Sequence, residues 1–98
     1  FGRLAAVVVS DPDEDRLDAF CRELVQRQPR EPEDADGVKV LGPAAAPIAV
    51  VRGRHRRRFL VRSAPGVRLQ PYLARWLGGL KTPGALRMRV DIDPYSFL

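Results

Sequence analysis

Apolar positions along the chain follow two periods, and the switches between them mark the elements. Leu4 to Val9 is an apolar run rich in Val, bounded by Ser10-Asp11-Pro12, and predicts a buried strand. Asp11 then reads as a helix N-cap, with Pro12 at the first helical position and Glu14 completing a capping box. Leu17, Phe20, Cys21 and Leu24 follow at helical spacing and predict one buried stripe on a helix over residues 12–27. Pro29 ends it. Residues 28–37 are polar, acidic and broken by prolines, which predicts a flexible loop.

The second half repeats the alternation. Val38 to Leu41 predicts a strand closed by Gly42-Pro43, and residues 43–53 an irregular connection. Arg56 to Arg62 predicts a third strand, with Phe59 and Val61 on one face and Arg58, Leu60 and Arg62 on the other. Ser63-Ala64-Pro65-Gly66 is a turn. Leu69, Leu73, Trp76, Leu77 and Leu80 mark a second amphipathic helix. Pro71 must lie in its first turn, so the helix starts near Arg68 or Leu69. Gly78-Gly79 and Pro83-Gly84 end it. In the last strand Leu86, Met88, Val90 and Ile92 share one face, Arg87, Arg89, Asp91 and Asp93 the other, and Pro94 terminates it. The order β-α-β-β-α-β with right-handed crossovers predicts an α+β, ferredoxin-like fold: a four-stranded sheet with both helices on one face.

Composition narrows the function. At 98 residues the chain is expected to be a single domain. Phe1 opens it without a Met, so it reads as a piece of a longer protein. One Cys and one His exclude an internal disulfide and any Cys/His zinc cluster within these residues. No apolar run reaches membrane-spanning length, and no phosphate-binding glycine loop is present.

Charge is more informative. The net charge of +5 hides an acidic first third and a basic remainder, with no carboxylate between Asp36 and Asp91. Arg52, Arg54, Arg56, Arg57, Arg58 and Arg62 crowd into one segment around His55. Such a cluster needs water or an anionic partner, and the guanidinium fork suits phosphate.

The segments Leu41-Gly42-Pro43-Ala44-Ala45-Ala46-Pro47, Arg52-Gly53-Arg54-His55-Arg56 and Phe59-Leu60-Val61 resemble the C-terminal domain family of primosomal protein N′, the PriA replication-restart helicases. So do the opening Gly2-Arg3-Leu4-Ala5, Phe20-Cys21-Arg22, and the ending Val90-Asp91-Ile92-Asp93-Pro94. The resemblance implies a bacterial, cytoplasmic, nucleoid-associated parent that unwinds DNA 3′→5′ with ATP and Mg. It implies ATPase motifs and zinc-binding cysteines upstream, and no cofactor or enzymatic activity in this fragment. It implies partners in fork and single-stranded DNA, other primosome proteins and the helicase lobes of the same chain. Single-stranded-DNA-binding protein is a further implied partner, through an acidic tail met by a basic residue and a Gln at the start of the second helix. Gln70 matches. Gly66 stands at the usual basic position, with Arg68 two residues on. His55 stands where Tyr is common, Pro71 is unusual, and residues 29–36 look like an insertion.

The expected nucleic-acid contacts are therefore Arg52, Arg54, His55, Arg56, Arg57, Arg58 and Arg62, and the expected partner contacts Arg68 and Gln70. The plainer alternative for the arginines is a solvated hairpin edge. Cys21 and Trp76 read as core. Asp91 and Asp93 lack a third metal ligand and are expected to pair with Arg87 or Arg89. Tyr95, Phe97 and Leu98 form a hydrophobic tail suited to docking on the parent. Two other functions stay open: a purely structural packing domain, or a ribosomal or RNA-binding protein of similar topology. A free-standing enzyme is the weakest reading, because the sole His has no evident carboxylate to orient it.

Overall fold

A computed structural model of the chain describes residues 2–31 and 35–93. Its elements run β1 (Leu4–Asp11), α1 (Glu14–Gln26), β2 (Val38–Val51), β3 (Arg54–Ser63), α2 (Leu69–Leu77) and β4 (Arg87–Ile92). The strands form one sheet in the order β2-β3-β1-β4, and every neighbouring pair is antiparallel. β1 and β2 thus run parallel with β3 between them, and β3 and β4 run parallel with β1 between them. α1 makes the first crossover and α2 the second.

Both helices cover the same sheet face. Ala5, Val7 and Val9 of β1 alternate toward them, as do Phe59 and Val61 of β3. α1 contributes Leu17, Phe20, Cys21 and Leu24, and α2 contributes Leu69, Tyr72, Leu73 and Trp76. Trp76 joins the layers: its ring meets Phe59 edge-on at 5.4 Å, and its indole N–H donates to the Leu24 carbonyl at 2.8 Å. A buried indole keeps its fold contribution only when that N–H is satisfied.

Three expectations need correction. The first concerns the N-cap of α1, which is Asp13, its carboxylate accepting from the Arg16 N–H at 3.2 Å. Asp11 instead ends β1, fully buried, and accepts from the Asp13 N–H at 2.8 Å. Its second bond, to the Arg16 side chain, outcompetes the local capping role.

Next, β2 does not stop at Gly42-Pro43 but continues to Val51. Its register with β3 slips between Leu41 and Ala44 and again between Ala45 and Val50. An edge strand tolerates such bulges, because its outer hydrogen-bonding groups are not needed by a neighbour. Gly42 is required at the first slip: its φ is +113, and an added Cβ would stand 2.7 Å from the Arg58 carbonyl oxygen.

The third correction is at Asp93, which lies past the end of β4 with φ 49 and leaves the face it was expected to share with Asp91. Its partner is Arg3, at 2.5 Å, while Asp91 pairs with Arg89 at 3.2 Å. Pro94, the hydrophobic tail at Tyr95, Phe97 and Leu98, and residues 32–34 of the acidic loop lie outside the described residues.

Candidate nucleic-acid interface

Strand alternation divides the arginine segment between two faces. Paired residues of an antiparallel sheet point the same way. His55 is opposite Asp11 and Arg57 opposite Val9, so both point toward the helices. There Arg57 meets Glu14 at 3.0 Å and Asp18 at 3.4 Å, and His55 Nδ1 lies 3.3 Å from Glu14. The acids are one turn apart on α1, which is why one guanidinium reaches both.

Arg54, Arg56, Arg58 and Arg62 point to the other face, which no helix covers. The cross-strand register builds rows there. Arg56, Ser10 and Arg87 make one row, and Arg58, Val8 and Arg89 the next. An apolar band of Leu41, Leu60 and Ala6 follows. Lys39, Arg62 and Leu4 lie beyond it. Asp91, opposite Ala6, is the one carboxylate among these paired positions. Sequence pattern alone offers Arg87 and Arg89 only as partners for aspartates. Their membership of this face depends on which strands are neighbours, and no local sequence signal carries that.

At one end of the face lies a groove of about 810 Å³, lined by Arg52, Arg54, Arg56, Arg87 and Arg89 around Val8 and Met88. Two of these cations, Arg54 and Arg56, are held in place by neutral carbonyl groups. Arg54 donates to the carbonyls of Ser10 at 3.0 Å and Ala85 at 2.5 Å. Arg56 donates to the Ile48 carbonyl at 3.1 Å, fastening the bulged part of β2. Carbonyl acceptors orient a guanidinium without neutralising it, so the positive charge of the groove remains. Arg52 occupies the tight turn between β2 and β3 with φ 51, followed by Gly53 with φ 75. Two successive left-handed residues are the signature of a type I′ hairpin turn, which places the Arg52 side chain at the groove mouth.

The expected partner residues Arg68 and Gln70 line a separate groove of about 380 Å³ with Arg3, Gly66 and Val67. It stands at the first turn of α2, where Arg68 is the N-cap and supplies no side-chain cap bond. Two carboxylates carry shifted acidities. The Arg16 guanidinium holds Asp11 down to about 2, against the burial that opposes ionisation. The bond from Arg3 likewise holds Asp93 below its usual range.

Every Phe, Tyr and Trp ring among the described residues is part of the core: Phe20, Phe59, Tyr72 and Trp76. The cationic face thus offers phosphate-binding groups and small apolar side chains, without a ring for base stacking.

The profile of the family described as "Primosomal protein N C-terminal domain" matches residues 1–95. The chain belongs to that family. Replication restart protein PriA of Rickettsia felis is 33% identical over 97 residues, covering 99% of this chain and 14% of the relative. The protein of the same name from Rickettsia typhi is 32% identical over the same coverage. A probable replication restart protein PriA of Deinococcus radiodurans is 36% identical over 95 residues, 96% of this chain and 10% of the relative. The chain therefore spans about one seventh or less of the length of these PriA relatives. No helix among the described residues is long and apolar enough to cross a membrane.

Proposed function

We propose that this PriA-family domain contacts nucleic acid during replication restart, as the C-terminal accessory domain of an ATP-dependent DNA helicase, and that the uncovered sheet face is its contact surface. The observation that carries the reading is segregation of sign. Arg54, Arg56, Arg58 and Arg62 of β3 and Arg87 and Arg89 of β4 share one face with a single carboxylate among its paired, described positions, while Glu14 and Asp18 of α1 lie on the other side of the sheet. The described residues of that face include no Phe, Tyr or Trp, which favours phosphate-dominated binding over base readout. The two interleaved crossovers around a four-stranded antiparallel sheet support the ferredoxin-like reading of the topology. ATP, Mg and zinc belong, in this reading, to parts of the parent outside the chain. Arg68 and Gln70 remain the proposed contact for the acidic tail of single-stranded-DNA-binding protein, supported by the basic groove at the start of α2.

The test is fluorescence anisotropy of the 98-residue chain with forked and single-stranded DNA across a salt series. Binding is expected at low salt and must weaken steeply as salt rises. Absence of binding at low salt by a folded chain, or binding indifferent to salt, overturns the proposal. A purely structural role predicts instead that charge reversal on the uncovered face unfolds the domain.

A further inference from the structure

Resting on the nucleic-acid reading above, we infer that the uncovered face takes an extended single strand laid along β3, with successive phosphates at Arg54, Arg56 and Arg58 and a further one at Arg62. The spacing is set by the backbone. Alternate residues of an antiparallel strand stand about 6.8 Å apart on one face. That is comparable with the phosphate separation of an extended single strand. A cationic ladder therefore runs along β3 from the hairpin turn, broken at Leu60 and resumed at Arg62.

Several features favour a single strand over a duplex. Both helices are on the opposite face, and β2 and β3 are bound into the sheet, so among the described residues neither a helix nor a free two-stranded ribbon stands on this surface to enter a major groove. The ladder also has an apolar rung. Leu60, flanked by Leu41 and Ala6, interrupts the cations. Leu41 is 40% exposed. In a duplex the bases are stacked inside and would leave this band facing sugars and phosphates. A single strand can turn a base onto it. Arg54 and Arg56 are already oriented by carbonyl groups, so less side-chain freedom is lost on binding.

Four phosphate contacts predict a log–log salt slope of about −2.8 for single-stranded DNA. The experiment titrates the whole chain with labelled oligothymidylates of increasing length, duplexes of matched length, and single strands carrying one neutral methylphosphonate linkage at each position in turn. Arg58→Glu with Arg62→Glu is expected to weaken single-strand binding about twentyfold near physiological salt and to flatten the slope by about half. Arg22→Glu, on the exposed side of α1, is expected to leave binding unchanged. The methylphosphonate scan changes no residue, so it reads the contacts even where a variant fails to fold. It should show a run of sensitive linkages, then a gap, then one more. Duplex bound as tightly as single strand, or uniform insensitivity along the scan, overturns this inference while leaving nucleic-acid binding intact. Binding of no nucleic acid at low salt by a folded chain overturns both.

Discussion

The Asp11 carboxylate, sealed at the end of β1, grips the Arg16 guanidinium through both oxygens, at 2.5 Å from Nε and 2.7 Å from Nη2. This pair ties the sheet to the first turn of α1. It also sets an acid limit for the fold. Asp11 has its acidity pushed to about 2 in the folded chain, against 3.8 ordinarily. A depressed acidity means the folded state favours the ionised form. Its stabilisation is complete above about pH 4, declines as pH falls from there, and is gone below pH 2. Asp93, held down by Arg3, acts in the same direction. Asp11→Asn should lower the urea midpoint at neutral pH and make stability less dependent on pH between 4 and 2. Circular dichroism across that range checks it; an unchanged acid profile would refute the assignment.

Arg52 holds a left-handed backbone conformation, which disfavours any residue with a Cβ by about 1–2 kcal/mol. Arg52→Gly should therefore raise stability by roughly 1 kcal/mol. The same change removes a charge from the groove mouth and should weaken DNA binding several-fold. Thermal unfolding and anisotropy on one preparation read both. A variant that is no more stable, or that binds as well as the parent, contradicts the expectation that this turn trades stability for charge.

Cys21 lies on the buried stripe of α1, and burial pushes its thiol up to about 11. The thiolate is the reactive form, so little is present near neutral pH. Thiol reagents should modify the folded chain slowly and the urea-unfolded chain at once. Rapid modification of folded protein would mean that α1 opens far more readily than its packing allows.

Trp76→Ala should destabilise by about 3–5 kcal/mol, because it empties the centre of the core. It also strands the Leu24 carbonyl that the indole satisfies. Trp76→Phe restores volume but not the bond and should fall between the two. Chemical denaturation of the three proteins orders them. Equal stability of Trp76→Phe and the parent would show that the Leu24 contact contributes nothing.

Local pattern revealed most of the elements. The stripes of Leu17, Phe20, Cys21 and Leu24, and of Leu69, Leu73 and Trp76, mark helix faces that the core then buries. Pro71 placed the start of α2 correctly, because a missing N–H is tolerated only in the first turn. Two local features misled. Asp11 has the chemistry of a cap, but its long-range fit against Arg16 decided its place. Gly42-Pro43 has the chemistry of a strand end, yet a bulged edge strand accommodates both. The candidate face was half legible. Alternation along β3 separates Arg58 and Arg62 from Phe59 and Val61. Adding Arg87 and Arg89 requires knowing that β4 lies beside β1, a pairing separated by more than seventy residues in the chain.

Arg57 sits between Glu14 and Asp18, and that contact gives the molecule an electrical orientation. The acidic first helix backs the sheet while a row of arginines fronts it, so the domain carries a dipole that a polyanion feels within about a Debye length, roughly 8 Å at physiological salt and roughly 30 Å in dilute buffer. A passing polyanion would turn the sheet toward itself before touching it. Productive encounters should then be fast, and faster still in dilute buffer, even if the complex that follows is short-lived.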